Sequence, residues 1–266
     1  TTVLLLPFSR QLEKLARRMI QSEDKSEQFA FLDPLLLRTP GVAISECVSM
    51  TNRMGELAHR NLLNAVEQLS DYQDARETEI AENEDKLDIY EDRLGDYLVK
   101  ISQHGVSMGD IRTVSRLLHA IGDFERIGDH ALNLQESALE LHEKSLRFSD
   151  AASEELRVLL SALDDIMDLA FSSFAANDPV AAKEVEPLEE TIDHLIEEIR
   201  MRHIRRLQTG ECTIQLGFVL NDLLTNFERV SDHCSNIAVC VIESQADDLD
   251  RHTYIHDLKT DRAFTA

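Results

Sequence analysis

Tryptophan is absent from this chain, and glycine, proline and cysteine are scarce, at 9, 5 and 4 of 266 residues. So few breakers exclude the turn-rich layout of a many-stranded β protein. Leu, Ala, Glu, Asp and Arg fill the space instead, which is the composition of long helices. Basic side chains are outnumbered too, 27 Lys and Arg against 50 Asp and Glu, for a net charge of −23. That balance excludes a nucleic-acid partner, whose phosphates need a basic face, and broad adhesion to an anionic membrane. It draws cations. No C-x-x-C pair occurs among Cys47, Cys212, Cys234 and Cys240, so reduced thiols inside helices, in a cytosol-like compartment, are expected. No signal peptide is recognisable and no run of about 18 apolar residues exists, so these residues alone hold no membrane span. Nucleophilic and nucleotide chemistry lose their usual marks: there is no G-x-S-x-G, no P-loop and no glycine-rich phosphate cradle.

What is present is a repeat. Asp123–Asn133 reads DFERIGDHALN and Asn226–Asn236 reads NFERVSDHCSN, sharing Phe, Glu, Arg, Asp, His and Asn at matching positions. Each copy sets a Glu and an Asp four apart, Glu125 with Asp129 and Glu228 with Asp232, on one face of a helix.

The surrounding chain predicts an all-α fold of two tandem three-helix bundles. Residues 1–41 form a leader. It comprises TTVLLLPF, an amphipathic helix to Ile20, and an extended strap over Ser22–Gly41 with prolines flanking an apolar patch. Residues 42–147 form the first unit. Its helices run from Val42 to about Ser70 and from Asp74 to Gln103. The third runs from a capping box at Ser107 and Asp110 to about Ser145. Along the first, Ala43, Cys47, Met50, Met54, Leu57, Leu62 and Val66 mark the apolar side. Residues 148–245 repeat the plan: Ala151 to Ala176, a turn at Asn177-Asp178-Pro179, a helix to Gln208, and another from Cys212 to Gln245. Residues 246–266 are a polar tail with a short helix around Tyr254–Lys259.

Acidic pairs four apart are cheap in such a sequence, about ten arising by chance. Register makes these stand out. Glu84 with Asp88 and Glu189 with Asp193 lie on the preceding helix of each unit. In an antiparallel hairpin, residues equidistant from the turn are level. Asp88 with Glu125, and Glu84 with Asp129, are both centred between Val106 and Ser107, in the first turn; Asp193 with Glu228, and Glu189 with Asp232, are centred between Gly210 and Glu211, in the second. Each hairpin therefore brings four carboxylates to one level: Glu84, Asp88, Glu125 and Asp129, then Glu189, Asp193, Glu228 and Asp232.

Two bare carboxylates about 5 Å apart repel by roughly 3 kcal/mol at an effective dielectric of 20. Four together call for protons or cations. Hard oxygen donors suit Mg, Ca, Mn or Fe over Zn or Cu, so the eight acids are candidate metal ligands. Asn133 and Asn236 continue the stripes and can add an amide oxygen, while Asp92 and Glu197 extend those on the second helices. His130 and His233, about 100° round the helix, are expected to donate to the ligands or to pack between helices. Arg126 and Arg229 are expected to pair with nearby acids. A salt-bridged interior hairpin is the alternative to metal. A ferritin-like di-iron oxidase would need two Glu-x-x-His motifs, and the chain offers one, Glu56 to His59.

These residues resemble the PhoU family, with tandem three-helix bundles carrying an E(D)-x-x-x-D motif in each half. DFERIGDHALN and NFERVSDHCSN are similar to its third-helix signature, and EDKLD and EETID to its second-helix one, over roughly Ala43–Ser244. The resemblance implies iron or another divalent or trivalent metal at the acids, a regulatory role in phosphate uptake and no enzyme. Asn226 departs from Asp123 of the first copy. The leader, TTVLLLPFSRQLEKLARRMI then FLDPLLLRTPGVAI, resembles the junction of bacterial sodium/phosphate cotransporters with a PhoU-like cytosolic domain. That implies a transporter domain in cis, at the cytoplasmic face of the cell membrane. A homodimer is compatible with it, although no residue requires one. A free-standing PhoU-type regulator of a phosphate transport system and its sensor kinase is the alternative.

Overall fold

In a computed structural model describing residues 32, 34–104 and 106–245, six long helices form the body. They are α1 (Pro40–Gln68), α2 (Asp74–Ser102), α3 (Met108–Glu143), α4 (Asp150–Ala176), α5 (Val185–Thr209) and α6 (Ile214–Gln245). No strand occurs among the described residues.

The ends follow from local chemistry. Pro40 opens α1 where its missing N–H costs nothing. Ser107 and Asp110 make a reciprocal capping box at α3: the Asp110 N–H donates to Ser107 Oγ at 3.2 Å and the Ser107 N–H to Asp110 Oδ2 at 3.1 Å. Ser149 caps α4. Asn177, left-handed at φ 51°, ends it. Gly210 ends α5 at φ 74°. The expected helix from Pro179 is divided: Asp178 caps a single turn over Pro179–Ala182, and α5 starts at Val185.

The leader differs from expectation where it is described. Pro34–Arg38 winds into a 3-10 turn rather than an extended strap, and Leu32, Leu36 and Leu37 pack against the core. The expected amphipathic helix and the helix near Tyr254 lie outside the described residues.

Each unit is an antiparallel three-helix bundle, α1–α3 and α4–α6. The helices bearing the repeated motif, α3 and α6, sit centrally: each touches both other helices of its own unit, and the two touch one another. The apolar side expected for α1 is buried apart from Val66, which is half-buried. The repeated phenylalanines are core residues, Phe124 and Phe227 both being fully covered. Phe124 meets Phe171 and Phe174 of α4 edge-on, at centroid distances of 5.1 and 5.4 Å, and so locks the units together. Arg116, buried, bonds the Asn177 amide oxygen and lies 5.2 Å over the Phe174 ring at the same junction.

Candidate functional site

The α2–α3 and α5–α6 hairpins bring the expected carboxylates together. Burial and then the charges of Asp129, Glu91, Asp88 and Glu84 push the Glu125 carboxyl up to about 7. In the second hairpin burial and then Asp193, Glu186, Asp232 and Glu190 push Glu189 up to about 7. Burial followed by Glu228 and Asp232 raises Asp193, against His194 and Arg200. All eight acids thus belong to two carboxylate sets, one per unit. Glu84 is the deepest, at 2% exposure.

The side chains stand apart within each set. Among the described residues, no three of the eight acids have ligand atoms all within 4.8 Å of one another. In the second set arginines are engaged: Arg200 Nη2 donates to Glu228 Oε2 at 2.7 Å and Arg229 Nη1 to Asp232 Oδ2 at 3.3 Å. The latter is the pairing expected of Arg229.

Two features of the site escape sequence reasoning. Glu91 and Glu186 join the sets, one helical turn beyond Asp88 and before Glu189, whereas Asp92 and Glu197 are exposed. The stripe follows the i,i+3 row, and the Ser235 hydroxyl donates to Glu186 at 2.8 Å. The second feature is Gly128, between Glu125 and Asp129. A Cβ there would stand 2.5 Å from Leu87 Cδ1, and Leu87 is fully buried. The missing side chain lets α3 approach α2 at the level of the acids. Its counterpart, Ser231, is buried and turns its hydroxyl back to the Glu228 carbonyl at 2.9 Å.

The other half of the repeated motif faces elsewhere. His130 Nδ1 lies 2.8 Å from Asn226 Oδ1, and His233 Nδ1 lies 2.9 Å from Asp123 Oδ1. The Asn133 amide donates to the same Asn226 oxygen at 3.2 Å, and the Asn236 amide to Asp123 Oδ1 at 3.3 Å. The two imidazoles lie 5.5 Å apart. Asn133 and Asn236, candidate ligands by sequence, thus direct their amide N–H groups across to the opposite repeat. His130 and His233 are the packing residues of a reciprocal clasp between α3 and α6. The motif carries two faces: Glu and Asp toward the neighbouring helix of its unit, and the Asp or Asn, His and Asn toward its own second copy. Burial, first among several influences, lowers the His130 pKa, which favours the neutral ring. The four cysteines are free, with burial raising the Cys47 and Cys240 thiols to about 12.

A duplicated three-helix unit carrying an acidic set in each hairpin defines a tandem-repeat helical protein of the PhoU type. The family described as the PhoU domain matches residues 51–138 and 156–241, and the chain belongs to that family. Among curated relatives, the phosphate-specific transport system accessory protein PhoU homolog 1 of Thermotoga maritima is 25% identical over 195 residues, covering 73% of this chain and 83% of its own. The accessory protein PhoU homolog of Pseudomonas aeruginosa is 25% identical over 190 residues, covering 71% and 78%. The crystal structure of PhoU from Pseudomonas aeruginosa superposes with a TM-score of 0.71 at 25% identity, over 76% of this chain and 97% of that one. The regulatory protein PhoU of the Streptococcus pneumoniae phosphate transport system shares the fold, at a TM-score of 0.70 and 16% identity.

These matches correct one expectation. A membrane transporter domain in cis was read from the apolar leader, but the relatives are accessory proteins of transport systems, and the helical body accounts for nearly all of a solved PhoU chain. The leader misleads because apolar residues ahead of basic ones are a local pattern that an ordinary amphipathic helix shares with a membrane junction. TTVLLLPF itself lies outside the described residues, and among those described no helix is long and apolar enough to cross a membrane.

Proposed function

We propose that this protein is a metal-binding accessory regulator of a phosphate transport system, acting in trans on the transporter and its sensor kinase from the cytoplasmic side. The observation that carries the reading is the pair of four-acid sets, one per hairpin, in a chain whose curated relatives are accessory proteins of phosphate-specific transport. Glu84, Asp88, Glu125 and Asp129 would hold ions in the first unit, and Glu189, Asp193, Glu228 and Asp232 in the second. The donor set fits such a cation: it is all-oxygen, and Glu125 and Glu189 are raised first by burial and then by neighbouring carboxylates whose charge a cation would offset. Iron is the ion the family resemblance implies, and Mg, Mn and Ca suit the same donors.

A complementation assay tests the regulatory role. In a bacterium lacking its own PhoU, this chain should restore repression of a phosphate-starvation reporter in phosphate-rich medium, and the Asp129→Asn/Asp232→Asn variant should restore less. A folded, expressed chain that leaves the reporter fully induced would overturn it.

A further inference from the structure

Outside the acidic hairpins, on the seam between the two units, three side chains converge that neither the repeated motif nor the regulatory reading uses. His59 of α1 points across to Asp164 and Asp168, one turn apart on α4. One ligand atom from each lies within 4.8 Å of the other two, and among the described residues this is the only set of three His, Cys, Asp or Glu that does so.

The distances are informative. Nε2 of His59 lies 3.4 Å from Asp164 Oδ1, and Nδ1 lies 3.7 Å from Asp168 Oδ1. Both exceed the usual 2.7–3.2 Å of a hydrogen bond. They run to different ring nitrogens, of which one can ligate a given ion, so what is in place is convergence: one ligand atom from each residue already lies within 4.8 Å of the other two. The imidazole is also placed. It meets the Phe171 ring edge-on at 5.4 Å, and Phe171 meets Phe124 of the core edge-on in turn. His59 is 19% exposed while Asp164 and Asp168 are 52% and 73% exposed, so a placed imidazole stands between two exposed carboxylates that can turn to close with one of its nitrogens on an ion from solvent.

We propose that His59, Asp164 and Asp168 form a binding site for a borderline first-row divalent cation, zinc foremost, that staples α1 of the first unit to α4 of the second. One nitrogen and two carboxylates select against Mg and Ca, which prefer oxygen-only shells, and favour Zn, Co, Ni or Cu. The ligands leave at least one position open to water, as in zinc sites with three protein ligands. Because the site spans the two units, an ion there resists their separation, unlike an ion within either hairpin.

Tag-free protein stripped with chelator and titrated with zinc, by calorimetry and against a chromophoric chelator, tests this. Wild type should bind one equivalent more than His59→Gln, or bind that equivalent at least tenfold more tightly. Asp164→Asn/Asp168→Asn should show the same loss, and its exposed positions leave the fold intact if His59→Gln does not. Asp129→Asn/Asp232→Asn, which alters the acidic hairpins, should retain the equivalent. With Cu(II), pulsed electron paramagnetic resonance should show imidazole nitrogen coupling that falls by one ligand in His59→Gln. Equal zinc stoichiometry and affinity in wild type and both seam variants, or no zinc uptake by wild type, would overturn the site. Loss in the hairpin variant alone would overturn it too, and assign the zinc to the acids.

Discussion

His233 of α6 reaches Asp123 of α3 at 2.9 Å, and the reciprocal contact, His130 of α3 to Asn226 of α6, is 2.8 Å. The motif is its own partner across the repeat, which explains why its His and its last Asn recur in both copies.

The clasp needs an acceptor at position 123 rather than a charge, because Asn226 does the same work on the other side. Asp123→Asn should therefore cost less than Asp123→Ala. The alanine variant leaves the buried His233 donor without its acceptor, at about 1–3 kcal/mol, while the exposed Asn236 amide turns to water. Urea denaturation of the three proteins should rank wild type, then asparagine, then alanine.

Two glycines of α3 should respond in opposite directions. Gly128→Val drives into buried Leu87 at the level of the acids and should destabilise by about 1–3 kcal/mol, as overpacked cores do. Gly122 has nothing within 4 Å of a built Cβ, so Gly122→Ala should stabilise by about 0.5–1 kcal/mol through helix propensity. Thermal melts of the pair separate close approach from flexibility.

Glu125 and Glu189, each held up to about 7, set a pH dependence in metal-free protein. A carboxyl whose folded pKa is raised binds its proton more tightly when folded. The stability it lends is fully present below the unfolded value of about 4.3 and is lost as pH rises through about 7. Glu125→Gln/Glu189→Gln should remove that slope, so its stability relative to wild type increases from pH 4 to pH 8. A difference that stays constant in denaturation at several pH values would contradict carboxyls raised by burial and neighbouring charge.

Much of this could be read in advance because helices announce themselves locally. The capping box at Ser107, the stop at Gly210 and the proline after Asp178 each depend on a few neighbouring residues, and the level of the acids follows from helix rise and turn position alone. The split at Lys183–Glu184 was hidden because those residues suit a helix interior as well as its first turn. What required three dimensions was rotation about the helix axis. Asp92 and Glu91 are adjacent in sequence, but only the i,i+3 row brings Glu91 to Glu125. Likewise the roles of Asn133, Asn236 and the two histidines depend on α6 crossing α3, a contact that no periodicity encodes. Gly128 was legible as a glycine between the two acids of the motif, yet its meaning lay in Leu87 on another helix. The leader shows the opposite failure, a local pattern that resembles a membrane junction while the relatives are accessory proteins of transport systems.

The most direct test of the account is elemental analysis of the wild-type protein purified without chelator, beside Asp129→Asn/Asp232→Asn. One acid is removed from each hairpin and the helices are left in place. The account predicts metal bound by wild type and a marked loss, about half or more, in the folded double variant. Equal metal content in the two proteins, or none in wild type, would contradict it.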